Sequence, residues 1–241
     1  MSTPSNNSTS IPTNLLSNNR AWADRLRTED PGFFLRLSHQ QTPQYFWIGC
    51  SDSRVPATQI TGLLPGEMFV HRNVANVVPP ADLNCLSALQ FAVDVLKVRH
   101  VIVCGHYGCS GIRAAMEGHR LGLVDDWLRN VADVRQKHAV HLAGLENKER
   151  QLDRLCELNV MEQVAHVANA ASVQDAWARG QALVVHGWIY AVDDGLLRDL
   201  GLSVDGPAGL AIERANPAAS QGAPLAGAGM TSEVAKGEVA L

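Results

Sequence analysis

No run of about 18 consecutive apolar residues occurs in this 241-residue chain, so no membrane-spanning helix is expected. The opening MSTPSNNSTS has neither the basic start nor the apolar stretch of a secretory signal, and a cytoplasmic protein is the expectation. Basic residues are not in excess: 20 Lys+Arg stand against 24 Asp+Glu, a formal charge of −4, which makes no case for a sequence-independent nucleic-acid binder. Cysteine is scarce and odd in number. The five residues Cys50, Cys85, Cys104, Cys109 and Cys156 argue against a disulfide framework and for thiols, buried or metal-bound. No internal repeat is visible, which sets aside solenoids and propellers. What is present is a chain 46% apolar and 18% charged, long enough to build a core without staples.

Residues 1–13 are rich in Ser, Thr, Asn and Pro, and 215–241 in Ala, Gly and Pro with no aromatic residue. Neither stretch buries enough apolar surface to offset its ordering entropy, and both are expected to be mobile. Between them, 14–214 reads as a single α/β domain. YFWIGC (45–50), EMFVHRN (67–73), HVIVCGH (100–106) and ALVVHGWIY (182–190) are nearly continuous apolar runs of strand length, the pattern of strands covered on both faces. Helical periodicity occupies 14–27, 31–40, Asn84–Leu96, a segment after Cys109, 123–140 and 145–178. Strands alternating with helices predict a central, mainly parallel sheet flanked by helices. The two N-terminal helices have no strand before them and are expected to pack across the sheet or on a partner subunit, the latter being favoured.

Ligands in such folds sit at the carboxyl ends of strands, which singles out CSDSR (50–54) and HYGC (106–109). Cys50, Asp52, His106 and Cys109 form two short pairs, C-x-D and H-x-x-C, each where a strand ends. Thiolate, imidazole and carboxylate are donors that Zn2+ takes, and two thiolates argue against magnesium or calcium. Read singly, the two cysteines are small buried hydrophobes and His106 a loop histidine. The recurrence of ligand pairs after two strands favours the metal reading.

The stretch Cys50-Ser51-Asp52-Ser53-Arg54, then Pro65-Gly66-Glu67, Arg72-Asn73-Val74-Ala75-Asn76 and Gly105-His106-Tyr107-Gly108-Cys109 resembles the β-class carbonic anhydrases, in order from about residue 15 to 212. Ser110 departs from the glycine usual in the family, while Gly111 is retained. The resemblance implies zinc on Cys50, His106 and Cys109, and reversible hydration of carbon dioxide to bicarbonate by zinc-bound hydroxide. It makes Asp52 and Arg54 a dyad in which the paired Asp52 orients the nucleophile and the released Asp52 becomes a fourth metal ligand that blocks the site. It also implies a pocket of Gln41, Phe69, Val74, Phe91 and Gly111, with the Gln41 amide as a donor.

Trp47, Arg72 and Tyr190 match positions at which a bacterial, allosteric subgroup holds a non-catalytic bicarbonate, near a turn at Val55 that favours Asp52 on zinc. An indole N–H, a guanidinium and a phenol O–H are all donors suited to a small oxyanion. Carbon dioxide and bicarbonate are therefore the expected small-molecule partners, and a homodimer or homotetramer the expected assembly. Cys85, Cys104 and Cys156 read as buried thiols, and the remaining histidines show no ligand spacing. Two other functions stay open on the residues alone: a non-catalytic bicarbonate-binding zinc protein, and a same-fold hydrolase of another heterocumulene such as carbon disulfide.

Overall fold

The computed structural model describes residues 13–209. The stretches expected to be mobile, 1–13 and 215–241, lie outside it except for Thr13, which opens the first helix. The first half of the chain contains α1 (Thr13–Glu29), α2 (Phe33–His39), β1 (Tyr45–Cys50), α3 (Ala57–Thr61), β2 (Met68–Asn73), α4 (Leu83–Gln90) and β3 (His100–His106). The second half contains α5 (Ser110–Glu117), α6 (Leu123–Lys137), α7 (Ala139–Ala143), α8 (Lys148–Asn169), α9 (Ala171–Ala178), β4 (Val184–Ala191) and β5 (Leu196–Val204).

The sheet runs in the order β2, β1, β3, β4, β5. The first four strands are parallel and β5 returns antiparallel along β4, with a register irregularity at Gly187/Trp188. β1 and β3 coincide with the apolar runs that predicted them, because each is central and buried on both faces. β2 is an edge strand, and only Met68 and His71 of it are buried. α4 begins at Asp82, whose carboxylate accepts from the backbone N–H of Asn84 and Cys85 at 3.1 and 3.3 Å. The predicted helix 84–96 continues past α4 as a π-helical turn, Phe91–Val95. The predicted helix 145–178 is two helices, broken where Ala170 turns extended.

Successive strand residues face opposite sides. Phe46, Ile48 and Cys50 of β1, with Val101 and Val103 of β3, join a large core with Leu89, Ile112, Leu128, Leu155, Val160 and Val164. Trp47, Ile102, Cys104 and Tyr190 face the other way, into a smaller cluster with Val55, Ala57 and Met68. α8 lies so close to the sheet that a Cβ on Gly105 would come within 2.6 Å of Val160 Cγ2. Glycine before His106 therefore lets the helix seat directly behind the strand that carries it.

Candidate metal centre

β1 and β3 are parallel neighbours, so Cys50 and His106 arrive together at the carboxyl edge of the sheet. By alternation Cys50 belongs to the large core and His106 to the opposite face, so the pair straddles the sheet edge. Beyond His106 the chain turns through Gly108, at φ +67°, and delivers Cys109 as the cap residue of α5. A thiol there sits at the positive end of a helix, which favours thiolate.

One ligand atom from each of Cys50, His106 and Cys109 lies within 4.8 Å of the others, and all three residues are buried. Cys50 Sγ and Cys109 Sγ are 3.9 Å apart. Sharing a proton eases ionisation of one thiol: Cys109, and then His106, pull the Cys50 thiol down, while Cys50 and burial push the Cys109 thiol up. A divalent cation removes that conflict by replacing both protons. His106 Nδ1–H donates to the Tyr107 carbonyl at 2.9 Å, which fixes the ring and leaves Nε2 as the free lone pair. His106 Nε2 is buried and has no hydrogen-bond partner among the described residues. An orphaned imidazole nitrogen facing two thiols fits zinc in donor type and number, with a fourth position left over.

The turn after Cys50 is held from two sides. Arg72 donates from Nε to the Cys50 carbonyl at 2.8 Å and from Nη2 to the Asp52 carbonyl. Asp52 Oδ1 accepts from Arg54 N and from Arg54 Nε, each at 2.9 Å, and Oδ2 accepts from Arg54 Nη2 at 2.8 Å. This bidentate pair holds the Asp52 carboxyl far below the usual carboxylate range. Arg54 Nη2 also reaches the Gly108 carbonyl at 3.3 Å and so ties the two ligand loops together. Asp52 Oδ2 lies 3.7 Å from His106 Nε2.

Of the expected pocket residues, Phe69 lies between Phe46 and Phe91 in tilted ring contacts, with centroids 5.6 and 5.9 Å away. Val74 meets Gly111, where a Cβ would stand 3.0 Å from Val74 Cγ1. Val74 and Phe91 remain 38% and 44% exposed. Gln41 is exposed, in the segment that precedes β1. The Gln44 carbonyl accepts from Arg99 and His100 N–H, anchoring that segment at the start of β1, the opposite end from Cys50.

Trp47 and Tyr190 share the smaller cluster with Val55, and Trp47 Nε1–H is buried without a partner among the described residues. The other three cysteines are buried, and burial pushes Cys85 and Cys156 up to about 12 and Cys104 up as well, so none is a reactive thiolate. Two histidines without ligand spacing do meet: His100 and His186 share a hydrogen bond of 3.1 Å, and His186 pairs with Ser203 at 2.9 Å. Sequence reasoning missed the Arg72 clamp on the ligand turn, since an arginine in an edge strand carries no signal of which carbonyls it reaches.

A family model described as carbonic anhydrase matches residues 45–197. A carbonic anhydrase of Emericella nidulans is 46% identical over 192 residues, covering 80% of this chain and 84% of the relative. The structure of a Coccomyxa β-carbonic anhydrase in complex with acetazolamide superposes with a TM-score of 0.80 at 41% identity, covering 87% of this chain and 92% of that one. One of two tetrameric β-carbonic anhydrases from Sordaria macrospora gives 0.76 at 39% identity, covering 80% and 98%. With the zinc-binding group of Cys50, His106 and Cys109 at the sheet edge, this chain belongs to the β-class carbonic anhydrase family.

Proposed function

We propose that the chain hydrates carbon dioxide reversibly to bicarbonate and a proton at the sheet edge, with Asp52 and Arg54 aiming and gating the reaction. When bound by Cys50, His106 and Cys109, zinc supplies the Lewis acidity that makes water nucleophilic near neutral pH. The observation that carries the reading is the bidentate Arg54–Asp52 pair, placed 3.7 Å from His106 Nε2. A carboxylate held so acidic is a poor proton store and a good hydrogen-bond acceptor. Asp52 Oδ2 accepts a hydrogen bond from the O–H of the water being consumed and so turns its lone pair toward the pocket. Phe69, Val74 and Phe91 give that pocket apolar walls suited to a substrate without a net dipole. Breaking the Arg54 pair would free Asp52 to join Cys50, His106 and Cys109 as a donor to the metal and so close the site.

Bicarbonate inhibits through Trp47, Arg72 and Tyr190. Two features support this reading: the unpartnered Trp47 indole N–H, and the Arg72 bonds to the Cys50 and Asp52 carbonyls. An anion that draws the guanidinium away loosens the turn that aims Asp52 and favours the closed state. A homo-oligomer completes the pocket. Val74 and Phe91 are partly exposed, the Gln41 amide of a second copy would supply the donor, and Leu15, Leu16 and Leu35 give α1 and α2 exposed apolar residues to pack on a partner subunit. The five free cysteines support a reducing compartment, the cytoplasm expected from the sequence.

Stopped-flow hydration of carbon dioxide by zinc-loaded protein, run beside hydrolysis of carbon disulfide, tests the assignment. Rapid turnover of carbon dioxide alone is expected. Carbon disulfide as the preferred substrate would overturn it.

A further inference from the structure

The loop after β2 carries Val74 and is bent in a way that side chains resist. Ala75 and Asn76 are consecutive non-glycine residues at φ +64° and +48°, in the left-handed region. Such a conformation persists only where the surroundings over-determine it. Here the surroundings are named atoms. Trp127 Nε1 donates to the Val74 carbonyl at 2.8 Å, Asn159 Nδ2 to the Ala75 carbonyl at 2.9 Å, and the Asn73 side chain closes on both polar groups of Val77 at 2.7 and 2.8 Å. Val78 N–H donates to Gln163 Oε1 at 2.8 Å, and its carbonyl pairs with His166 Nδ1 at 3.0 Å.

Asn159, Gln163 and His166 form a ladder along α8. His166 Nδ1 pairs with Gln163 Oε1 at 3.1 Å, and Gln163 Nε2 donates to Asn159 Oδ1 at 3.1 Å. Asn159 and Gln163 are fully buried, on a helix whose other buried residues include Leu155, Val160, Val164 and Val167. Amides on such a face add nothing that leucine would not, unless the hydrogen bonds they make have a task. Their partners at the other end are the backbone groups of the strained loop. The loop in turn borders the site: Val74 abuts Gly111, and buried Asn76 lies beside Gly105, next to His106.

We propose that Asn159, oriented by Gln163, is a positioning residue for carbon dioxide hydration: its N–H on the Ala75 carbonyl holds the left-handed turn that sets Val74 as a wall of the substrate pocket. The proposal rests on the reading of Val74 as a pocket residue. Asn159 touches no reacting atom. It acts through the loop.

The test uses the full-length, zinc-loaded enzyme. Asn159→Leu keeps the branched shape and removes the donor. Zinc content should stay at about one per chain, while kcat/KM for carbon dioxide falls on the order of 10- to 100-fold, mostly through KM. Ala75→Gly added to Asn159→Leu should recover much of that loss, since glycine enters the left-handed region without a Cβ penalty. Unchanged kcat/KM in Asn159→Leu overturns the proposal. So does an equal fall in kcat and kcat/KM with no recovery on Ala75→Gly, because that marks a loss of folded enzyme. If Asn159→Leu does not fold, Gln163→Met removes the anchor of Asn159 and should raise KM in the same direction, and an unchanged KM there overturns the proposal equally. Val74→Phe separates the two readings. If it leaves KM unchanged, the pocket reading and this proposal both fall, whereas a raised KM beside a normal Asn159→Leu removes Asn159 alone.

Discussion

On one side of the sheet, Phe46, Ile48, Val101 and Val103 lie beneath α8 in a core that also takes in Leu89, Leu128 and Leu155. On the other, Trp47, Ile102 and Tyr190 form a smaller cluster, and His100, His186 and Ser203 line up in a hydrogen-bonded row that stays partly open to solvent. The first side is redundant in apolar contact and supplies stability. The second holds indole N–H groups of Trp47 and Trp188 with no partner among the described residues, and it includes the residues proposed for regulation. The metal ligands are drawn from both, Cys50 from the first and His106 from the second, so chemistry sits where the two meet. Substitutions should therefore separate into those that cost metal, those that cost folding and those that cost control.

Removing a metal ligand acts where the two sides meet and should have the largest effect. Cys50→Ala, His106→Ala or Cys109→Ala should each lose zinc by metal analysis and reduce carbon dioxide hydration to the uncatalysed rate. On the covered side, Leu155→Ala empties a fully buried position. It should destabilise the protein by about 2–5 kcal/mol in urea unfolding while leaving activity per folded, zinc-loaded molecule unchanged. On the other side, Trp47→Phe deletes an N–H that has no partner among the described residues, which offsets part of the cavity the smaller ring leaves, so the loss of stability should be smaller than in Leu155→Ala. Bicarbonate inhibition, measured as a concentration series, should weaken with zinc content unchanged.

The smallest effect expected is one of pH. Burial, and next to it His100, holds His186 below its ordinary pKa. Its neutral form is thus favoured by folding, and the stability it contributes is present above the ordinary histidine range and lost as pH falls through it. The fall in Tm between about pH 7.5 and about pH 5.5 should be smaller in His186→Gln than in the parent. A fall that is unchanged would remove His186 from the pH response.

The ligand set was legible because its members are close in sequence at two strand ends, and the strands that carry them are unbroken apolar runs. β5 was not, since LLRDLGLSV is a largely exposed edge strand with a glycine at positive φ and no steady alternation. The break between α8 and α9 falls at Ala170, the best helix former, so propensity gave no warning and only the extended backbone there reveals it. Asn159 and Gln163 stand among apolar residues of a helix that reads as amphipathic, and their partners lie 84 and 85 positions away in sequence. No local pattern encodes a hydrogen bond of that span. Gln41 entered the pocket through the resemblance alone, and the bonds that Gln44 makes to Arg99 and His100 anchor the segment just after it at the start of β1.

In the mechanism proposed above, Asp52, aimed by Arg54, works on the water at a metal it does not hold. Stopped-flow carbon dioxide hydration by Asp52→Asn, with zinc measured on the same sample, tests this most directly. The account predicts zinc at the parent level and turnover lower by about 10²- to 10⁴-fold. Near-parent turnover with full zinc, or a loss of zinc equal to the loss of activity, would contradict it.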